Sequence, residues 1–328
     1  MRKINLAIVG ATGMVGRKML EILEEYEIPI DRLYLYASNR SAGQVIDFRG
    51  SPLIVHTLDD FSFDVDIDYA LFSAGATIAE RYAPLAVKKG VTVIDNSSAF
   101  RMDETVPLIV PEVNKHHLKN HRGIIANPNC STIQAVCALA PLNNAYGLTH
   151  LNYVTYQAVS GSGVAGLADL KHGQSLAAPR TYPKPIHNNI LPQIDRFTED
   201  GYTKEELKMI DETRKILNDN ALAVTATCVR VPVENGHSVH ISAELKTNPS
   251  LDEIATTLTC APNIRLITPP DIPTPLDVEG HDHVLVGRLR SDKTRKNGVH
   301  LFTVADNIRK GAASNAVQIL KLLMEASQ

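Results

Sequence analysis

Ile4-Asn5-Leu6-Ala7-Ile8-Val9-Gly10-Ala11-Thr12-Gly13-Met14-Val15-Gly16 is the stretch that sets the fold. Its first six residues read as a short apolar strand. Three glycines follow at intervals of three, and Val15, Met19, Ile22 and Leu23 then mark one face of a helix. A strand that passes through a tight glycine turn into a helix N-terminus forms a site for a dinucleotide pyrophosphate. There, unpaired N–H groups and the positive end of the helix dipole meet the anion. In this reading Gly10 permits the turn, Gly13 lets backbone approach the phosphates, and Gly16 lets helix pack on strand. The spacing is GxxGxxG rather than GxGxxG, so a plain strand–helix turn that needs glycine for geometry is the competing reading.

The pattern continues outward. A second strand, Leu33–Ala37, ends in Ser38-Asn39-Arg40-Ser41, where a NAD site usually carries Asp or Glu for the ribose hydroxyls. An arginine among hydroxyls suits a 2′-phosphate and favours NADP(H), with a solvated loop arginine as the alternative. Strands at 69–72 and 91–94, with a helical stretch near 77–89 between them, give the rhythm of a doubly wound parallel sheet. Ligands collect at the carboxyl ends of such strands. Arg101, in the segment Asp95–Arg101, therefore suits an anion, although taken alone it reads as a surface arginine.

Beyond residue 126 the character changes. Asn127-Pro128-Asn129-Cys130-Ser131-Thr132 leads into the apolar-periodic Ile133, Val136, Cys137 and Ala140, which predicts a helix starting beside Cys130. A thiol at a helix N-terminus is favoured as thiolate, the nucleophilic form. The alternative is that Asn129 or Ser131 caps the helix over a buried cysteine. Strand 151–158 ends at Ser160-Gly161-Ser162-Gly163, and Gln157 within it reads as an ordinary sheet residue. Residues 205–218 predict a helix on which Glu212 and Lys215 share a face, as a surface ion pair would. In strand 223–233 Arg230 lies on the face of Val224, Ala226 and Cys228, and an arginine there should have an anionic partner. Asn235-Gly236 predicts a hairpin turn into His237 and the alternating strand Val239, Ile241, Ala243, Leu245. A further strand is expected at 283–289, and an apolar helix closes the chain.

Bulk properties bound the reading. The chain has 328 residues, enough for two domains, with 44% hydrophobic residues, 21% charged residues and a net charge of −3. Nothing here suggests a nucleic-acid or membrane partner, and no run approaches the ~18 apolar residues of a bilayer span. Twelve histidines come without HExxH or CxxC, so no metal site is expected. Cys130, Cys137, Cys228 and Cys260 show no disulfide framework. With no signal peptide in the opening residues, the cytoplasm is the expected compartment.

A thiolate, a candidate base, several cations and a dinucleotide turn are together the inventory for oxidising an aldehyde through a thioester. The segments Gly10–Gly13, Ser97–Arg101, Asn127–Thr132, Gln157–Gly161, Cys228–Val233 with Gly236–Ser238, Val286–Arg288, and Asp306–Ala313 lie in the order found in the aspartate-semialdehyde dehydrogenase family, which this chain resembles over nearly its whole length. The resemblance implies an α/β fold. Its N-terminal Rossmann-type doubly wound nucleotide-binding domain (1–128 and 307–328) is joined to an α+β catalytic and dimerisation domain (129–306), and the C-terminal helix returns to the first domain. It implies Cys130 as the nucleophile that becomes the acyl-thioester, His237 as the acid/base that takes the thiol proton, and Gln157 as the residue that orients substrate. Arg230 would clamp the substrate α-carboxylate and Glu212 would meet its α-ammonium. Arg101, Lys215 and Asn129 would hold inorganic phosphate. Gly10, Thr12, Gly13, Met14, Val15, Ser38, Arg40, Ser41, Ser160, Gly161 and Asn307 would contact NADP. A homodimer, sometimes a tetramer, and a place in the synthesis of diaminopimelate, lysine, threonine, methionine and isoleucine are implied as well. The glycines of 162–166 depart from the family pattern. The competing assignments are N-acetyl-γ-glutamyl-phosphate reductase, which Glu212 and the setting of Cys130 argue against, glyceraldehyde-3-phosphate dehydrogenase, which lacks these motifs, and a non-catalytic paralogue.

Overall fold

The computed structural model describes residues 2–173 and 181–326, which divide into two compact units, 1–128 with 312–328, and 129–311. In the first unit, β1 (Ile4–Val9), β2 (Ile30–Ala37), β4 (Ser51–Thr57), β5 (Tyr69–Phe72), β6 (Thr92–Asp95) and β7 (Ile124–Ala126) are parallel. β3 (Val45–Phe48) pairs antiparallel with β4 at the edge, and the spatial order is β3-β4-β2-β1-β5-β6-β7. Without β3 this is the doubly wound order that reverses direction beside the first strand.

The two faces of β1 explain the layers. All six of its residues are buried, as a central parallel strand requires. Leu6 and Ile8 pack with Met19 and Leu23 of α1 (Met14–Glu25) and with Ile319 and Leu320 of the C-terminal helix (Ser314–Ala326). Ala7 and Val9 pack with Tyr82 and Ala83 of α2 (Ala76–Lys88) on the opposite face. The closing helix thus belongs to the first unit. A single turn, α3 (Pro111–Asn114), precedes β7.

The second unit opens with α4 (Cys130–Tyr146) and β8 (Leu148–Gln157) and continues through α5 (Gly163–Lys171), α6 (Lys204–Leu217), β9 (Ala223–Arg230), β10 (His237–Leu245), α7 (Leu251–Thr259), β11 (Ile264–Leu266), β12 (Val284–Ser291) and β13 (Gly298–Ala305). The sheet order is β11-β12-β13-β10-β8-β9. β8 alternates along its length: Leu151, Tyr153, Thr155 and Gln157 are buried, whereas Asn152 and Tyr156 are exposed. One face is thus packed, by α4, α6 and α7, and the other is partly exposed among the described residues.

The expected hairpin at Asn235-Gly236 does not form. β8 lies between β9 and β10, parallel to the first and antiparallel to the second. Gly236 does take the positive φ of +87° that its type allows, but the connection crosses the end of β8 instead of folding back on β9. It is held there by Val159 N–H to Val233 O (2.8 Å) and Ser160 N–H to Glu234 O (3.0 Å). Local turn chemistry was correct, and long-range pairing decided the topology. Among the described residues no helix is long and apolar enough to cross a membrane.

Candidate active site

In the first unit the glycine turn has the geometry its spacing implied. Gly10 has φ +89°, and a Cβ there would lie 2.4 Å from Ser73 O at the end of β5. A Cβ on Gly16 would lie 2.2 Å from Gly10 O, so the helix start sits directly on the turn. Gly13 is the N-cap of α1 and has no side-chain cap, and Met14 and Val15 begin the first turn. Their N–H groups are among the orphans of a helix start, beside partly exposed Thr12. Ser38 and Arg40 are exposed beyond β2, and Ser41 N–H closes a turn onto Ser38 O (2.9 Å). Arg101 is buried, with its guanidinium fixed by Nε to Asn127 O and Nη2 to Asn96 O, each 2.9 Å.

In the second unit three neighbouring strand ends carry Gln157, Arg230 and His237. Gln157 and Arg230 are register partners across β8 and β9, and His237 opens β10 beside them. The residue after Gln157 ties them together. Ala158 N–H donates to His237 Nδ1 (3.0 Å), and Ala158 O accepts from Arg230 Nη1 (2.7 Å). Both side chains converge on Gly161, where a Cβ would lie 3.0 Å from Arg230 Nη1 and 3.1 Å from His237 Nε2. Glycine keeps that space open.

Each of these side chains still has one nitrogen that the protein does not satisfy. Arg230 Nε and His237 Nε2 are buried without a hydrogen-bond partner. The Tyr182 ring lies 5.8 Å from the Arg230 guanidinium, and its own buried hydroxyl is also unpartnered. The anionic partner expected for Arg230 is not a protein carboxylate among the described residues. A buried arginine of this kind is a place for an external anion. Burial, and then the Arg230 charge, push the His237 pKa well below its ordinary value, so the ring is neutral. Because Nδ1 accepts from Ala158, the ring hydrogen sits on Nε2, and His237 presents a donor. To take a proton at Nε2 the ring would have to shift its hydrogen to Nδ1 and lose the Ala158 bond.

Cys130 is the first residue of α4, partly exposed, with Asn129 as N-cap. Asn129 Oδ1 accepts from Ser131 N–H (2.9 Å) and Thr132 N–H (3.3 Å). The cap and the thiol are therefore separate residues, and the alternative of a fully buried cysteine does not hold. Gly311 packs on the cysteine, where a Cβ would lie 2.8 Å from Cys130 Cβ. Cys228 is different. It is fully buried, and burial, then Glu205, push its thiol far up.

On α6, Glu212 is buried rather than on the surface, and it accepts from Asn129 N–H at 2.6 Å. Lys215 lies one turn later and is half-buried. Ser160 and Asn307, expected at the cofactor, bond to each other (Asn307 Nδ2 to Ser160 Oγ, 2.9 Å), and Asn307 Oδ1 accepts from Gly236 N–H (2.9 Å). In this way they also hold the turn that delivers His237. The unexpected glycine Gly166 has a packing reason, since a Cβ would lie 2.4 Å from Val159 O.

Sequence reasoning missed Glu205. Its buried carboxylate accepts from Asn129 Nδ2 (2.8 Å), Gln157 Nε2 (3.1 Å) and Lys208 Nζ (3.1 Å). An acid in a first helical turn is ordinary, and nothing in the sequence marks this one. Among the described residues no group of three or more His, Cys, Asp or Glu is arranged to hold a metal ion.

Two family models match the chain. One, described as "Semialdehyde dehydrogenase, NAD binding domain", matches residues 5–121, and the other, "Semialdehyde dehydrogenase, dimerisation domain", matches residues 139–310. The aspartate-semialdehyde dehydrogenase of Aquifex aeolicus is 49% identical over 332 residues, covering 98% of each chain. This chain belongs to the aspartate-semialdehyde dehydrogenase family. Among solved structures, aspartate semialdehyde dehydrogenase II of Vibrio cholerae complexed with ASA has a TM-score of 0.96 at 45% identity, covering 99% of both chains. A Candida albicans family structure with NADP has a TM-score of 0.79 at 26% identity, covering 98% of this chain and 99% of that one. The family match supports a nicotinamide nucleotide in the first unit and self-association of the chain.

Proposed function

We propose that this chain is an NADP-dependent aspartate-semialdehyde dehydrogenase, interconverting L-aspartate 4-semialdehyde plus phosphate with L-4-aspartyl phosphate. The observation that carries the reading is that Arg230 Nη1 and His237 Nε2 converge over Gly161, with His237 Nε2 and the Arg230 Nε buried and unpartnered, in the unit whose first helix starts at Cys130. The family relatives supply the substrate name.

In this reading Arg230 takes the α-carboxylate, as a planar fork suits. Cys130, deprotonated at the start of α4, adds to the aldehyde carbon. His237 donates from Nε2 to the aldehyde oxygen as it gains charge, and the thiol proton leaves to solvent. The residues of the Gly10 turn fit a dinucleotide, because α1 has Gly13 as its N-cap, with no side-chain cap over its first N–H groups. Exposed Arg40 supplies the charge for a 2′-phosphate and has no ion-pair partner among the described residues. The chemistry that NADP supplies when bound is hydride acceptance, which leaves a thioester on Cys130. Arg101 and Lys215 are assigned to the phosphate that releases the acyl group. Asn129 serves chiefly by holding the helix start. Glu212 is assigned to the α-ammonium, to which its negative charge is suited. Nucleotide binding is assigned to 1–128 with 307–328, catalysis and dimer or tetramer contacts to 129–306, and the enzyme to the cytoplasmic pathway that leads to diaminopimelate, lysine, threonine, methionine and isoleucine.

The test is phosphate-dependent reduction of NADP by aspartate semialdehyde, run beside N-acetylglutamate semialdehyde. Turnover of the first alone is expected. Preference for the acetylated substrate would move the chain to the reductase branch, and no turnover of either would point to a non-catalytic paralogue.

A further inference from the structure

We propose that Glu205 is a positioning residue whose single carboxylate fixes which ends of the Gln157 and Asn129 amides face the reacting centre. The proposal rests on the function proposed above.

Glu205 lies in the first turn of α6 and is 5% exposed. One oxygen, Oε1, receives both amides, Asn129 Nδ2 at 2.8 Å and Gln157 Nε2 at 3.1 Å. The other, Oε2, receives Lys208 Nζ at 3.1 Å, which also reaches Asp195 Oδ2 at 3.0 Å. Burial opposes ionisation of Glu205, but Lys208 and the two amides outweigh it and hold the carboxyl below its usual value. An ionised carboxylate can only accept. Turned over, Gln157 would set its carbonyl oxygen against the carboxylate, two acceptors with no hydrogen between them. Its NH2 group is therefore committed to Glu205, with Thr155 Oγ1 at 3.3 Å as a second partner. Gln157 Oε1 is left as the working end, among the strand ends that carry Arg230 and His237.

The same oxygen settles Asn129. With Nδ2 committed to Glu205, Oδ1 must face the N–H groups of Ser131 and Thr132, which is the cap that starts α4 at Cys130. A misplaced amide at either position would put a donor where an acceptor is needed, and the cost of an unmatched buried group exceeds the gain of a made bond. One carboxylate thus sets the frame of the nucleophile and of the substrate-orienting residue together. An acceptor at Gln157 suits the α-ammonium of aspartate semialdehyde, beside the Glu212 assigned to the same group, and repels the carboxylate that Arg230 takes.

Exchanging the two side chains tests this without changing shape. Gln157→Glu places a second carboxylate against Glu205 and is expected to lower kcat/KM for the semialdehyde by about 100-fold. Adding Glu205→Gln restores a donor–acceptor pair with the roles reversed, and is expected to recover at least about tenfold of that loss. The KM for NADP should stay within about twofold throughout, a split that general loosening of the fold would not give. A double variant no better than the product of the two singles overturns the proposal, as does a common shift of both KM values. If Gln157→Glu does not fold, Gln157→Met and Glu205→Gln are combined instead. Non-additive losses are then expected, and additive ones overturn the proposal. Wild-type turnover is the control. If it is absent, the functional reading fails and takes this proposal with it. If it is present without rescue, only this proposal fails.

Discussion

The two units build their candidate sites by opposite means. In the first, the cofactor turn is built by backbone: Gly10, Gly13 and Gly16 lie within seven residues, Gly13 and Gly16 pack on Gly10, and Gly10 packs on Ser73 O of the neighbouring strand end. In the second, Cys130, Gln157, Glu205, Glu212, Arg230 and His237 come from five elements, whose ends are tied through Asn129, Gln157 and Ala158 by hydrogen bonds with sequence separations from 48 to 83 residues. A backbone site tolerates changes of side chain around it but no Cβ at its glycines. A side-chain site depends on every member of the network being in place.

The sharpest break between the two is at Cys130. Cys130→Ala should lower kcat by on the order of 10⁴–10⁶, the weight of a nucleophile, and leave NADP binding intact. Cys228→Ala should keep most of the activity, since that thiol is buried with its pKa raised far up. Alkylation followed by peptide mapping checks the same point: Cys130 should react before Cys228. Equal rates would remove the distinction.

Glycine to alanine separates backbone need from site need. Gly10→Ala meets a positive φ and a carbonyl at 2.4 Å, and should cost about 2 kcal/mol or more in stability. Gly161→Ala has no positive φ, and the atoms nearest its Cβ are side-chain ends of Arg230 and His237 at 3.0 to 3.2 Å. It should fold normally and lower kcat/KM for the semialdehyde by about tenfold, roughly one displaced hydrogen bond. Thermal melts and steady-state kinetics on both variants decide whether the two glycines differ in this way.

These contrasts show what the sequence could carry. The first unit was legible because glycine, an apolar run and helical spacing each act on near neighbours. Cys130 was legible for the same reason, as the helix beside it starts where the cap predicts. Asn235-Gly236 misled because a correct local conformation says nothing about a third strand lying between the two it was thought to join. Glu205 was invisible. Its neighbour Glu206 has the usual reason to be there, forming a capping box with Thr203, and only the folded structure shows that the adjacent acid points to Asn129 and Gln157. The roles of Arg230 and His237 came from family resemblance. Their physical basis, a buried nitrogen on each without a partner, needs coordinates.

Arg40 gives a smaller effect. It is exposed at the end of β2, so its removal should not disturb the fold. Arg40→Ala should lower kcat/KM for NADP by about 10–100-fold, the weight of a charge-assisted phosphate contact, and change the value for NAD by less than about twofold. Equal losses with both cofactors would make Arg40 a solvated loop residue.

The smallest effect is on stability, and it belongs to His237. Its folded pKa lies well below the 6.5 of a free imidazole, because of burial first and the Arg230 charge second. Above pH 6.5 both folded and unfolded chains hold the ring neutral, and no difference arises. As pH falls through 6.5 the unfolded chain takes up a proton that the folded chain refuses, so stability drops. The slope for one such group approaches about 1.4 kcal/mol per pH unit until the folded pKa is reached. His240 and His283 have lowered values of the same sign and contribute in parallel. The measurement is therefore a difference. Denaturation of the wild type and of His237→Gln between pH 7 and about pH 5.5 should show the variant with the shallower acid slope, by up to one proton. Superimposable slopes would mean that the ring takes up its proton in the fold as easily as in solution. The neutral Nε2 donor assigned to it would then be the wrong state.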